Sequence, residues 1–352
     1  MEDVARAAKL TSVLAERLTA QLLAGRPARD PIEVTRRLLA VQGQDPRGAR
    51  LAVRARSSDL TAADVDRALN EGSLLITWVN RGTLHLLASE DYPWLHALTT
   101  PPLLTSSARR LAQEGLTPGA VERGVQAIER ALASAGPLTG AQLREHIAAA
   151  GVRTEGQALV HLLFLASLRG IVVRGPVIDS QHAYVLVRDW LGVSPPVDRD
   201  RALAELARRY LAGHGPADDR DLARWAGLPL RDARAALGSI ARELGERPDG
   251  LVELAGSAGP AQPPPPRLLG AFDPLLLGWR SREELLALAG DRQIVTINGI
   301  FRPFALVDGR AVAIWRLAGT KLEIEPFGAL SRSGQRALET DAQDVLRYLG
   351  RG

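Results

Sequence analysis

The chain has no cysteine, which excludes disulfides, thiolate chemistry and cysteine-based metal sites. Its six histidines are scattered, with no HxH or HExxH pair, so no metal is expected. Long apolar runs are missing as well. None reaches the roughly 18 residues of a membrane span, and the N-terminal MEDVARAAKL carries charge where a signal peptide needs an apolar core. A soluble, cytoplasmic protein is expected, without a membrane partner. Aromatics make up only 4% of the residues, so the cores must be built from Leu, Val and Ala. Lysine occurs only at positions 9 and 321, and the basic complement is therefore almost all arginine.

What is present is ordinary globular composition. Of 352 residues, 46% are hydrophobic and 24% charged, and the length suggests two or three domains. Formal net charge is only +4, although the pI is about 9.9. The planar fork of arginine suits phosphate. A GC-rich genome also favours arginine codons whatever the function, so charge alone does not establish nucleic-acid binding.

Along the chain, short helices alternate with β-hairpins. Residues 10–24 read as an amphipathic helix, with Leu10, Val13, Leu14, Leu18 and Leu22 on one face. Asp30-Pro31 reads as an N-cap followed by an N1 proline, opening a helix over 31–41. Helices follow at 47–56 and 61–71. "SLLITWVNRGTLHLLA" then gives two β runs around Asn80-Arg81-Gly82. Several helices followed by a hairpin is the outline of a winged helix, and the outline recurs twice. Helices at 118–134, 139–149 and 155–169 precede β runs at 171–174 and 183–187. Helices at 200–212, 218–226 and 229–244 precede a short strand at 251–254. The repeat is one of element order, not of sequence.

"GSAGPAQPPPP" (256–266) packs neither as a helix nor as a central strand. Beyond it, Asp273-Pro274 is another capped start. Residues 294–327 give a four-stranded antiparallel meander, with Asn298-Gly299 and Asp308-Gly309 as type I′ turn pairs. A closing helix is expected over 331–349. The expected fold is α+β: three tandem winged-helix units (1–100, 101–196, 197–256), then a Pro-rich linker, the antiparallel meander and the C-terminal helix (257–352).

The stretch "LLAVQGQDPRG" (38–48) supports two readings. Gln42-Gly43-Gln44 can be a polar helix end with Gly43 in the left-handed cap position. In an extended segment, Gln42 and Gln44 would instead share a face and Gly43 would point away. A carboxamide offers an acceptor oxygen and two N–H donors but takes no proton at neutral pH. It can orient a water and stabilise charge by its dipole, which suffices only for an activated leaving group. Asp45 is adjacent to the pair and caps the Asp-Pro turn on the simpler reading.

Next to the glutamines, Arg47, Arg50 and Arg54 fall on one helical face, either a phosphate clamp or a solvated surface. Arg81, at a hairpin tip, is expected to meet a groove or phosphate. His85 lines the site or is a structural histidine, and Trp78 reads as core. Asp273 reads as a cap.

QGQDP, WVNRGTLH, AFDPLLLGWRSR and NGIFRPFALVDGRAVAIWR, in that order, resemble a known family. This is the winged-helix DNA-binding family that includes the AlkZ-type DNA glycosylases, and the resemblance runs from about residue 8 to 349. It implies tandem winged helices and excision of alkylated bases, including unhooking of interstrand cross-links. It also implies a catalytic pair of glutamines one residue apart, or Gln-x-Asp in a sister branch. Here that pair is Gln42 and Gln44, with Gly43 where the family usually carries a larger aliphatic residue. The function so implied is a monofunctional glycosylase for bulky or cross-linked N7-alkylpurines in duplex DNA. It is expected to act as a monomer without metal or organic cofactor. Arg47, Arg50, Arg54, Arg81 and His85 are then the expected DNA contacts. The alternatives are a non-catalytic winged-helix regulator or lesion-binding resistance factor, and a protein-interaction scaffold whose arginine face only solubilises.

Overall fold

A computed structural model describes residues 12–351, apart from residues 194, 246, 258, 260, 261, 289 and 290. Leu10, expected on the first helix, lies outside the described residues. The order of elements opens with α1 (Ser12–Ala20), α2 (Pro31–Leu38), β1 (Val41–Gln42), α3 (Pro46–Ala55) and α4 (Ala62–Asn70). The first hairpin follows as β2 (Leu74–Val79) and β3 (Thr83–Ala88). Next come α5 (Tyr92–Thr99), α6 (Pro101–Gln113), α7 (Pro118–Ala135), α8 (Gly140–Ala149) and α9 (Ala158–Leu168). A second hairpin, β4 (Val172–Ile178) and β5 (Gln181–Leu186), runs into α10 (Val187–Trp190). The third set is α11 (Arg199–His214), α12 (Asp219–Ala226) and α13 (Leu230–Ser239), with β6 (Leu244–Gly245) and β7 (Glu253–Leu254). The chain closes with β8 (Arg267–Leu269), α14 (Pro274–Leu277), α15 (Asp291–Ile294), β9 (Phe304–Val307), β10 (Arg310–Ala318), β11 (Lys321–Pro326) and α16 (Arg332–Tyr348). Mixed helix and antiparallel sheet make the fold α+β.

Local chemistry sets most helix starts. Asp30 accepts from the Ile32 N–H, with Pro31 in the first helical position. Asp45 accepts from the Arg47 and Gly48 N–H groups and opens α3 in the same way. Thr61 and Asp64 form a capping box before α4, and Thr139 and Gln142 form one before α8. Asp273 caps α14 through the Leu275 N–H.

The first two hairpins form one five-stranded sheet in the order β1-β3-β2-β4-β5. The seam between them is the pairing of Ile76 with Arg174. The hairpin tips differ. Asp179 and Ser180, both at positive φ, make an exposed two-residue tip on the second. The first turns through Asn80-Arg81-Gly82, and Asn80 is fully buried. That tip docks on the end of α12. A Cβ on Gly227 would lie 2.9 Å from the Asn80 carbonyl oxygen, so only glycine lets the two backbones meet.

The C-terminal sheet has the order β11-β10-β9-β8. The expected four-stranded meander within 294–327 is corrected at its first strand, which is Arg267–Leu269 and lies just beyond the proline run. Residues 295–301 instead close a small loop through the Val295–Phe301 bridge. Pro303 separates that loop from β9. Only Asp308-Gly309 has positive φ at both turn positions, as a type I′ turn requires; Asn298 does not. Asp341 of α16 accepts from the Leu268 N–H at 2.6 Å, which fixes the closing helix to this sheet. No helix among the described residues is long and apolar enough to cross a membrane.

Candidate active site

The helix before the glutamines ends earlier than its apolar pattern suggests. α2 stops at Leu38, and Leu39 takes the left-handed turn at φ 63°. Gly43 is not at positive φ, so the helix-cap reading of this glycine is corrected. The chain is already extended there. Val41 pairs with Leu86 and Gln42 with His85, and the Gly43 N–H donates to the Leu84 carbonyl at 2.7 Å.

Extension sorts the side chains. Val41 packs in the core with Val34, Leu38 and Leu86. A Cβ on Gly43 would point the same way, at ordinary contact distances of 3.6–3.7 Å from Leu86, Ile76 and Leu84. Gln42 and Gln44 take the opposite face, as strand alternation requires. Gln42 is buried, and its carboxamide oxygen accepts from Arg81 at 3.4 Å. Gln44 is exposed, and its oxygen accepts from the Leu84 N–H at 3.3 Å. A carbonyl oxygen has two lone pairs, so each can still take a hydrogen bond from water.

Arg81 does not project from a free tip, and that expectation is corrected. Its guanidinium is half-buried and donates to the Trp225 carbonyl at the end of α12 as well as to Gln42. Burial, then the charge of Arg224, lowers its pKa to about 10, and it stays cationic at neutral pH. His85 is buried beside it. The Nδ1 of His85 faces the Thr83 carbonyl at 2.9 Å, so Nδ1 carries the proton in the neutral ring. Burial first, and Arg81 second, push this imidazole down to about 3. Asp45, the one acid of this loop, accepts both cap hydrogen bonds of α3 on a single oxygen, Oδ1.

The expected arginine face divides. Arg47 is exposed. Arg50 is half-buried, paired with Asp66, and donates to His182 Nε2 at 3.1 Å. Arg54 turns inward: it is 3% exposed, bonded to Asp341, Asp344 and the Leu268 carbonyl. It is a tie between α3 and the C-terminal sheet, so its place in a surface clamp is corrected. Arg56 is fully buried against Asp273 at 2.7 Å and Gln21 at 2.8 Å. Trp78 is core, with Phe164 edge-on to its ring.

Sequence reasoning missed Arg174 and His182, which the second hairpin brings beside Arg50. The signal available was Gly175 inside a strand run, a mark of a bulge. Among the described residues no group of three His, Asp or Glu side chains is gathered as a metal site would need.

Residues 35–348 match the family described as DNA glycosylase AlkZ-like. An interstrand DNA cross-link repair glycosylase of Streptomyces sahachiroi is 29% identical, over 96% of each chain. The solved structure of the Streptomyces sahachiroi DNA glycosylase AlkZ superposes with a TM-score of 0.76 at 26% identity, over 97% of each chain.

Proposed function

The chain belongs to the AlkZ-like DNA glycosylase family and is a DNA glycosylase, and from that premise we propose that it hydrolyses the N-glycosidic bond of bulky or cross-linked N7-alkylated purines in duplex DNA. The observation that carries this reading is the pair Gln42 and Gln44, on one face of an extended segment with the apolar core behind it.

The chemistry follows from what carboxamides lack. Neither can serve as a general base at neutral pH. An N7-alkylguanine needs no base or acid to leave, because it carries a positive charge. As the C1′–N9 bond breaks, its electron pair moves onto the purine and neutralises it. The sugar becomes an oxocarbenium ion, whose charge the amide dipoles of Gln42 and Gln44 stabilise. A water held by their oxygens adds to C1′ and releases its proton to solvent. The products are a free alkylated base and an abasic site. Arg81 holds Gln42 from behind.

An exposed Gln44 also suits a tethered substrate. Extruding a nucleotide costs about a few kcal/mol, and a cross-linked base cannot swing free of its partner strand. A site reached without full extrusion accommodates both. The three runs of helices ending in a hairpin are the proposed tandem winged-helix units, and together they give one monomer an extended footprint on the duplex.

The test is incubation with duplex DNA containing N7-methylguanine, and separately with an N7-cross-linked duplex, scored for free base and abasic sites. Release from both is expected. Release of neutral bases such as uracil, with none from N7-methylguanine, would overturn the proposed specificity.

A further inference from the structure

Two residues beyond Gln44, at Pro46, begins an open groove of about 720 Å³. Its walls come mainly from the start of α3, the second hairpin and the segment after α16, with Asp66 of α4 and Gly140 of α8 completing them. Four guanidiniums line it, those of Arg47, Arg50, Arg174 and Arg351, against a single carboxylate, Asp66, which Arg50 already engages.

Arg174 is the informative member. It pairs with Ile76 on one side and Tyr184 on the other, so its side chain rises between two aromatic rings. The guanidinium carbon lies 4.8 Å from the Trp78 ring centre and 5.0 Å from that of Tyr184. The sheet register slips immediately after it, between Arg174 and Val177, a bulge of the kind that re-aims a side chain. Its Nε is buried without a hydrogen-bond partner, and no carboxylate lies within 4 Å among the described residues. Arg47, which lines the same groove, likewise has no carboxylate partner among the described residues. Several buried or half-buried arginines elsewhere are held by acids, Arg54 by Asp341, Arg209 by Asp91 and Arg247 by Glu16, while Arg37 and Arg81 donate to carbonyl oxygens instead. A guanidinium set against two rings, in a groove lined by three further arginines and one acid already engaged, is placed for an anion the protein does not supply.

We infer that this groove is a backbone phosphate site, in which Arg174 and Arg47 grip a phosphodiester of the strand that runs past Gln44. The inference rests on the reading of the chain as acting on duplex DNA, and it names residues for binding, not for bond cleavage. Because β4 joins the sheet of the first hairpin, the second repeat delivers Arg174 to the groove beside the first repeat's glutamines. One phosphate contact thereby spans both units.

The experiment uses the full chain and an unmodified duplex oligonucleotide, so it needs no base release and stands apart from the glycosylase assay. Binding is measured against salt for wild type, Arg174→Gln, Arg174→Lys and the pair Arg47→Gln/Arg351→Gln. Each lost phosphate contact should lower the slope of log K against log salt by about 0.9. Arg174→Lys should keep the slope, since it keeps the charge. A neutral methylphosphonate is then stepped through the duplex one linkage at a time. At one position it should weaken wild type and leave Arg174→Gln unaffected. If folded Arg174→Gln matches wild type in slope and at every linkage, the inference is overturned. Should that variant melt early because Trp78 loses its cover, the Arg47→Gln/Arg351→Gln pair decides: an unchanged slope there overturns it as well. Failure of wild type to bind the duplex would also overturn it.

Discussion

The two hairpins of the shared sheet begin from similar sequence and end in different roles. Each has two short apolar strands, and each carries one histidine and one arginine. The second, β4–β5, ends in an exposed Asp179-Ser180 tip. The first, β2–β3, has its tip buried against α12, with Asn80 inaccessible and Arg81 bonded to the Trp225 carbonyl. A hairpin acts as a free wing only where nothing caps its tip. The first is a strut instead. Its outer strand backs the glutamine segment through the Gln42–His85 pairing, and its tip fixes the Gln42 side chain. The second keeps a free tip and offers its arginine to the neighbouring groove. On this reading the first hairpin governs bond cleavage and the second governs grip.

The sharpest way to break that division is at the glutamines. Gln44→Ala should lower single-turnover release of N7-methylguanine by about 10²–10³-fold, the usual loss for one preorganised polar group. Affinity for intact duplex should hardly move, because the interaction is strongest in the transition state. Gln42→Ala should behave alike, and the double variant should fall short of the product of the two losses. Equal release by wild type and Gln44→Ala would remove the first hairpin from catalysis.

Acid should instead treat the hairpins alike. His85 and His182 are both pushed down to about 3, by burial first and by neighbouring arginines second, and His214 at the end of α11 is lowered to the same value chiefly by burial. In the unfolded chain these groups take a proton near 6.5. The unfolded state therefore binds more protons as pH falls, and stability present above 6.5 is lost on the way down toward 3. The loss is about 1.4 kcal/mol per pH unit for each histidine. His85→Gln and His182→Gln should each flatten the acid limb by one proton's worth, followed by denaturant melts across a pH series. A slope that only one of them changes would show the hairpins are not equivalently buried.

How much of this was legible in the sequence depends on the distance over which the cause acts. Caps were readable at Asp30, Asp45, Thr61, Thr139 and Asp273, because cap and helix lie within four residues. The glutamine pair was readable as a pattern. Its conformation was not, because a leucine, Leu39, makes the left-handed turn where glycine is the usual signal. The arginines of α3 could not be sorted by periodicity. Arg54 and Arg56 go inward because Asp341 and Asp273 wait for them more than two hundred residues later. Likewise the Ile76–Arg174 seam joins two repeats through a single long-range pairing, and no local pattern announces it.

A smaller effect is expected at the tip of the first hairpin. Arg81→Ala removes a charged donor from the α12 carbonyl and from Gln42. Stability should fall by about 1–3 kcal/mol, because a part-buried acceptor loses its partner. Excision should weaken as Gln42 loosens, and the salt slope of duplex binding should stay. Thermal melts, base release and salt titration on one preparation separate the three. A reduced salt slope with unchanged melting would mean that Arg81 contacts phosphate and the strut reading is wrong.

The smallest effect should come from Gly43, and its sign is diagnostic. Had this glycine capped α2 in the left-handed region, any side chain would be penalised. It lies at an ordinary φ in an extended segment, and a Cβ would meet Leu86, Ile76 and Leu84 no closer than 3.6 Å. Alanine fits there without displacing anything. It also narrows the freedom of the unfolded chain, which at a compatible site stabilises by about 0.4–1 kcal/mol. Gly43→Ala should therefore raise the melting temperature slightly. Because the added methyl points to the core side and the carboxamides to the other, base release should be unchanged. A fall in stability, or a loss of release without one, would mean that the glutamine segment is not held extended against β3 in solution. The first hairpin would then lose its claim to be the strut beneath the catalytic pair.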